Sequence, residues 1–187
     1  MANSNITRNA LAESLISLGL HKDIDKITVA EIVEKCGVNR QTFYYHFDDK
    51  YELLRWIYQT RVFDKFQDGL TFNNWEEKML EALKVVGDLK EFALNTINCS
   101  NNVLQFSMQE SLIKVFKMAI ENISGLNHRT LSDTDEELYA RFLTYGFTGI
   151  ITDWILGKFK ATPETVVEKI KVMFIKAEGV DLKSLIS

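Results

Sequence analysis

The sequence predicts an all-α protein, in which a small N-terminal unit of three helices is followed by a larger helical body. Pro163 is the only proline among 187 residues, and proline is the strongest breaker of regular helices. Apolar residues recur at helical spacing, as at Leu11, Leu15 and Leu18, and long alternating runs of β-branched residues are absent. Together these observations favour helix throughout the chain.

The N-terminal helices are marked by their ends. Thr28 and Glu31 form the S/T-x-x-E capping box that begins a helix. Gly37 allows the left-handed conformation that ends this helix, and Asn39 is a suitable N-cap for a short helix over 40–46. Two helices joined by a glycine turn in this way predict a helix-turn-helix.

The remaining helices are predicted from apolar periodicity and caps. A first helix covers about residues 6–18, and a polar loop covers 21–25. After the fourth helix, the body helices are predicted at about 75–88, 89–97, 103–123, 135–158 and 163–177.

Three regions follow from this pattern. Residues 1–48 form the helix-turn-helix domain, which we call the head, and 49–66 form a connecting helix capped by Asp49. Residues 67–187 form a larger helical domain, which we call the body. The segment 68–74, with a glycine and two asparagines, separates the two.

Charge and composition limit the possible partners and compartment. The formal net charge is −4. Residues 1–66 hold nine basic and nine acidic side chains, and the remainder holds 13 and 17. Any nucleic-acid interface must therefore depend on local placement of donors. We expect no membrane span and no signal peptide. Two cysteines without a framework fit a reducing cytoplasm.

The short helix over 40–46 carries side chains suited to a DNA groove. At about 100° per residue, Arg40, Gln41, Tyr44 and Tyr45 cover an arc of about 140° away from Phe43. Arginine suits guanine and glutamine suits adenine in the major groove. The second helix of a helix-turn-helix lies in that groove, so this face is the candidate DNA-reading surface.

Further side chains near this helix are candidates for phosphate contacts. Thr42, His46 and Lys50 can donate to phosphate oxygens, and Lys50 lies in the first turn of the fourth helix, whose free N–H groups favour an anion. Thr28 is a helix cap that can also contact a phosphate. His46 has packing or capping as an alternative role.

Three segments resemble the N-terminal signature of TetR/AcrR-type transcriptional regulators. They are 27–33 (ITVAEIV), 37–47 (GVNRQTFYYHF) and 50–54 (KYELL), and the resemblance covers about residues 6–60. It implies base contacts at Arg40, Gln41 and Tyr44. It implies phosphate contacts at Thr28, Thr42, Tyr45, His46 and Lys50. The resemblance also implies a homodimer on double-stranded DNA with a palindromic operator, paired through the last two long helices, and a small ligand in the body. It thus implies that residues 67–187 are a helical ligand-binding and dimerisation domain.

The sequence departs from that family in places. Glycine is common in the family where Gln41 stands, and the acidic pair Asp48 and Asp49 flanks the phosphate-contacting face. Residues 40–44, 53–54 and 56–57 are also similar to a branch that regulates dihydroxyacetone kinase genes. That branch implies an activator controlled by a ligand-sensing protein.

The C-terminal helices carry a candidate interface. Gly146, Gly149 and Gly157 remove side-chain bulk along an apolar helix, so that another helix can approach closely. With the neighbouring apolar residues they predict a two-fold interface through helices at about 135–158 and 163–177. These residues are Ile150, Ile151, Trp154, Ile155, Val166, Ile170, Met173 and Phe174. Burial within one chain is the alternative, and the resemblance favours the dimer.

A ligand pocket in the body is not defined by the sequence. Polar residues close to apolar ones could orient a ligand or face water, and they are Asn95, Asn98, Gln105, Gln109 and Glu110.

These features bear on three classes of function. The first is a DNA-binding regulator, with a repressor released by a small molecule as its main form. The second is a DNA-binding activator or adaptor controlled by a protein partner. The third, an enzyme, lacks a nucleophile–base pair, a glycine-rich phosphate loop and metal-ligand spacing. We therefore expect no catalytic residues, no metal and no cofactor.

Overall fold

The computed structural model describes residues 2–71, 73–97, 99–126 and 131–179. The side chains of residues 2, 3, 122–126 and 173–179 are not described, so Asn98 and the side chains of Met173 and Phe174 lie outside this description. Every regular element within the described residues is helical, which confirms the predicted fold class. None of the helices in these ranges is long and apolar enough to cross a bilayer.

The helices follow the predicted order. They are α1 (Ala2–Gly19), α2 (Val29–Cys36), α3 (Arg40–His46), α4 (Lys50–Tyr58, Gln59–Phe63 and Asp64–Gln67), α5 (Trp75–Asp88), α6 (Lys90–Ile97), α7 (Val103–Leu126), α8 (Asp133–Ile155) and α9 (Pro163–Gly179). The first helix begins four residues before its predicted start, and α8 ends before Gly157, which has a positive φ of 70°.

Two local features differ from the sequence prediction. The predicted loop 21–25 overlaps a 3-10 turn at Ile24–Lys26, which places Ile24 in the core with no exposed surface. In α4, the segment Gln59–Phe63 is a π-helical turn. The Thr60 hydroxyl donates to the Trp56 carbonyl at 2.8 Å. This side-chain bond gives the carbonyl a partner next to the π-helical turn, which is wider than an α-helical one.

The caps of α2 confirm the sequence prediction. The Thr28 hydroxyl accepts the Glu31 N–H at 3.3 Å, and the Glu31 carboxylate accepts the Thr28 N–H at 2.8 Å. Gly37 ends the helix with φ 75° and ψ 25°. Because this is the left-handed region, glycine is the residue that adopts it at least cost.

The core of the head continues into the body. Leu11, Phe43 and Leu53 are fully buried in the same apolar cluster as Phe92 and Ala93 of α6. The head is therefore packed on α6, and helix α4 connects the two regions through a shared core.

The body contains a second apolar cluster. Helices α7 and α8 make the most extensive helix–helix contact, with the Phe116 and Phe147 ring centroids 4.9 Å apart. Val166 and Ile170 of α9 are buried in this cluster, whereas Ile155 is buried in the core shared with the head. For these three residues the alternative holds, namely burial within one chain rather than at a dimer interface.

Candidate DNA-binding site

The position of α3 is set by one apolar side and one cap. The Asn39 carboxamide oxygen accepts the Thr42 N–H at 2.8 Å, which begins the helix. Phe43 is fully buried and Phe47 is 3% exposed, with ring centroids 6.1 Å apart. These contacts anchor α3 on the head core and leave its opposite side to solvent.

The solvent side of α3 carries the predicted base-reading residues. Arg40 and Gln41 are exposed, and Tyr44 and Tyr45 are 52% and 81% exposed. None of the four forms a hydrogen bond or ion pair within the described residues. The structure therefore brings these side chains together on one surface, with their polar groups free for an external partner.

The predicted phosphate-contacting residues have different surroundings. The Thr28 hydroxyl donates to the Glu31 carboxylate at 2.8 Å, and the Thr42 hydroxyl donates to the Asn39 carboxamide oxygen at 3.0 Å. His46 is partly buried, with its ring edge-to-face against Tyr45 at 4.9 Å. To donate to a phosphate, each threonine hydroxyl would have to leave its cap partner.

The cap of α2 is also an electrostatic feature of the head. The Lys22 ammonium lies 2.6 Å from the Glu31 carboxylate. This contact, with hydrogen bonds from the Thr28 N–H and hydroxyl, lowers the pKa of Glu31 to about 2. The carboxylate is thus charged near the head surface, but its charge is balanced by Lys22.

Several basic side chains of the head and the connecting helix have no carboxylate partner within the described residues. Lys22, Lys26 and Arg61 are paired with acidic residues. Lys50 bonds to backbone carbonyls instead. The basic residues without an acidic partner are Arg8, Lys35, Arg40, Arg55 and Lys65. Arg8 has its guanidinium carbon 5.8 Å from the Phe47 ring centroid. Residues 1–66 thus hold equal numbers of basic and acidic side chains, yet several of the basic side chains have no carboxylate partner within the described residues.

Lys50 stands apart from the other predicted site residues. Its ammonium donates to the backbone carbonyls of Ile24, Asp25 and Ile27 at 2.8, 2.7 and 2.7 Å. An ammonium has three donor protons, so all three are used inside the head. The free donor expected from the sequence is therefore engaged in the structure.

A junction between head and body was not predicted from the sequence. The Asp25 carboxylate accepts the Tyr51 hydroxyl at 2.8 Å and the Ser100 N–H at 2.9 Å. Nearby, the Asn95 side chain donates to the Gly19 carbonyl at 2.8 Å. Residues 75 and 76 positions apart meet here, so no local pattern could have identified the contact.

A cavity lies between α4, α5, α7 and α8. Its volume is about 50 Å³ and its lining is entirely apolar. The lining includes Val62, Phe63, Met79, Leu83, Met108 and Ile155. Asn95, Gln105, Gln109 and Glu110, the polar residues considered from the sequence that the structure describes, do not line it.

Comparison with known proteins agrees with this architecture. The family described as "Bacterial regulatory proteins, tetR family" matches residues 17–57, and "Transcriptional regulator C-terminal region" matches residues 73–176. The first match spans α2, α3 and the start of α4, and the second spans the body helices.

Curated relatives include proteins described as activators and repressors. The chain is 27% identical over 92 residues to the "HTH-type dhaKLM operon transcriptional activator DhaS" of Lactococcus lactis, and the match covers 49% of each protein. The chain thus spans about half of that relative. It is 23% identical to the "Probable acrEF/envCD operon repressor" of Escherichia coli, over 93% of this chain and 89% of the relative.

Solved structures share the fold. The "Dihydroxyacetone kinase operon activator DhaS" superposes with a TM-score of 0.71 at 18% identity, covering 92% of this chain and 96% of that one. NalD of Pseudomonas aeruginosa, described as the secondary repressor of the MexAB-OprM multidrug efflux pump, gives 0.65 at the same identity and coverage. Since the family matches cover the head and more than half of the chain, the protein belongs to the TetR family of transcriptional regulators.

Proposed function

We propose that the chain recognises a palindromic operator as a homodimer, with α3 of each protomer in the major groove. The exposed, unpartnered face of α3 carries this proposal. Arg40 is assigned to guanine and Gln41 to adenine, because their donor and acceptor patterns match those base edges. Tyr44, beside them, completes the base-reading set, and the activity is binding rather than turnover.

Phosphate contacts are proposed for the residues around this face. Tyr45 and His46 offer donors without partners in the described part of the chain. Thr28 and Thr42 can contribute if their hydroxyls turn from their caps. Residues 1–66 hold equal numbers of basic and acidic side chains, so affinity should depend more on these few contacts than on a broad positive potential. We place this activity in the cytoplasm, where such a regulator would meet DNA.

The outward face of α8 supports the proposed dimer. Leu138, Phe142 and Tyr145 are 61%, 76% and 51% exposed, and their spacing puts them on one stripe of the helix. Gly149 continues the stripe, and a side chain there would meet no atom within 4 Å. Such an apolar stripe is typical of a helical interface. We therefore assign the two-fold contact mainly to α8.

Control by a small ligand is proposed first, as release of a repressor. Relatives described as repressors support repression as the sign of this control. The apolar lining of the cavity would suit a hydrophobic ligand. Such a ligand would contact Val62 and Phe63 in the π-helical turn of α4, which leads to the head.

Control by a protein partner is the second candidate, and the cavity size favours it. A volume of about 50 Å³ is far below the ~300–1,000 Å³ of ligand pockets. A thermal-shift screen of metabolites, followed by operator binding, separates the two. A metabolite that raises the melting temperature and changes operator affinity supports the first form. A screen without such a compound supports the second.

The DNA-binding proposal is tested by selecting duplexes from a random pool with the purified chain. We expect enrichment of a palindromic sequence. The Arg40→Ala variant should then lose about 1–3 kcal/mol of binding free energy and relax specificity at one position. Lys65→Ala is the matched control, since Lys65 is exposed, unpaired and roughly 22 Å along α4 from Lys50.

Two results would contradict the proposal. One is the absence of any enriched duplex with the wild-type chain. The other is equal affinity of the Arg40→Ala and Lys65→Ala variants for the enriched duplex, because the α3 face would then make no specific contact.

A further inference from the structure

Lys50 joins the two chain segments that flank the helix-turn-helix. Its ammonium is bonded to the carbonyls of Ile24, Asp25 and Ile27, which precede α2, while Lys50 itself begins α4 and follows α3. The bonds therefore close residues 28–49 into a loop whose ends are held together. The closure therefore ties the segment before α2 directly to the start of α4.

The N-terminus of α4 is also occupied. The Asp49 carboxylate accepts the N–H groups of Tyr51 and Glu52 at 2.8 and 2.7 Å, and the Glu52 carboxylate accepts the Asp48 N–H at 2.5 Å. The Asp49 carboxylate thus already bonds to two of the helix N–H groups that would attract a phosphate. Their negative charge would also repel an approaching phosphate.

The same carbonyl-bearing segment connects to the body. Asp25 accepts hydrogen bonds from Tyr51 of α4 and from the Ser100 N–H in the loop between α6 and α7. Burial opposes the charged carboxylate, but these hydrogen bonds outweigh it and hold the pKa of Asp25 below its usual range. The Lys50 ammonium lies 5.1 Å from the Tyr51 ring centroid. Head turn, α4 and body loop thus form one hydrogen-bonded unit.

We propose that Lys50 is a positioning residue, which fixes the turn at residues 24–27 and through Asp25 the body loop at Ser100, and that it does not contact a DNA phosphate. A phosphate contact would require the ammonium to give up at least one of its three carbonyl bonds, two of which lie in partly buried surroundings. A single exposed phosphate contact does not compensate for that loss. The inference rests on the proposed function because operator affinity is one of its measurements.

Two substitutions at Lys50 separate the alternatives. Lys50→Met removes the charge, and Lys50→Arg keeps it but replaces a compact three-proton donor with a planar guanidinium. Lys26→Met is the matched control, because Lys26 lies on the same turn, is exposed and pairs with Asp23 at 2.6 Å. Each is titrated with the duplex enriched by the wild-type chain, over a range of salt concentrations.

We expect both Lys50 variants to bind about tenfold or more weakly than wild type at every salt concentration. The slope of log affinity against log salt should stay at the wild-type value, and Lys26→Met should change neither quantity. A phosphate contact predicts the opposite. The Lys50→Met slope would then fall by about one unit, and Lys50→Arg would bind like wild type because arginine is a strong phosphate ligand.

A measurement on the wild-type chain keeps the inference testable if the variants do not fold. With ¹⁵N-labelled lysine, an ammonium held by three hydrogen bonds should give a resolved side-chain NMR signal in the free protein. We expect this signal to keep its chemical shift when duplex is added. A signal that is absent before DNA addition, or that shifts on binding, overturns the inference.

Failure of the proposed function has a separate signature. A wild-type chain that enriches no duplex would refute DNA recognition, but the ammonium signal would still report on Lys50. Hydrogen exchange at the Ser100 amide gives a second such readout. It should be slower in wild type than in Lys50→Met, and equal rates would contradict the link through Asp25.

Discussion

Two buried hydroxyl groups where α4 meets α6 allow a quantitative test of the contact between the connecting helix and the body. The Tyr58 and Thr96 hydroxyl oxygens lie 2.5 Å apart, and the residues are 1% and 0% exposed. Thr96 donates its only hydroxyl proton to the Ala93 carbonyl at 2.9 Å. The Tyr58 hydroxyl must therefore be the donor to Thr96.

This direction makes the two single substitutions unequal. Tyr58→Phe removes the donor and leaves Thr96 bonded to Ala93, so we expect a loss of about 1 kcal/mol in the free energy of unfolding. Thr96→Val leaves the Tyr58 hydroxyl buried without an acceptor, and we expect a loss toward ~3 kcal/mol. The double variant leaves no orphan hydroxyl, so it should be more stable than Thr96→Val alone.

Urea unfolding followed by far-UV circular dichroism measures all four proteins. Protein concentration must be the same throughout, because dimer formation adds a concentration-dependent stabilisation. The Tyr58 and Phe92 rings, 6.0 Å apart, keep their contact in Tyr58→Phe. Equal losses in the two single variants, or additive losses in the double variant, would refute the assigned hydrogen-bond direction.

Three further predictions concern the interface, pH dependence and packing. Phe142→Glu should weaken the proposed dimer by about 2 kcal/mol, or roughly 30-fold, in sedimentation equilibrium, and an unchanged dimer would exclude α8 as the interface. The pKa of Glu31 is lowered to about 2 by Lys22 and the cap, so its stabilisation is present above pH ~4.5 and is lost as pH falls toward 2. Urea midpoints between pH 5 and pH 2.5 should fall more in wild type than in Glu31→Gln, and parallel decreases would contradict this. Gly19→Ala would place a Cβ 2.7 Å from Phe92, so thermal unfolding should show a loss of about 1–3 kcal/mol, and an unchanged transition would show that the site can relax.

Much of the head follows from local sequence. The caps at Thr28, Asn39 and Asp49 are formed as predicted, because a cap requires only a polar side chain and backbone N–H groups two or three residues away. The outward arc from Arg40 to Tyr45 is also present. Helical period alone separates those residues from the buried Phe43.

Whether the C-terminal apolar side chains face the core or the surface could not be predicted in the same way. Val166 and Ile170 are buried within the chain, whereas Phe142 is exposed. Periodicity identifies an apolar face but not what covers it. Only the packing of α9 against α5 and of α8 against α7 decides between the core of one chain and the surface available to a second.

The role of Lys50 depends most strongly on tertiary structure. Its sequence position in the first turn of a helix suits a phosphate contact. That prediction uses only the residue type and the position of the helix start. The sequence by itself determined the helices, their caps and the exposed face of α3, since these depend on neighbours within about four residues. The tertiary structure decided where the ammonium and Asp25 find partners, because carbonyls 23 to 26 residues away and Ser100 reach them only after the chain has folded.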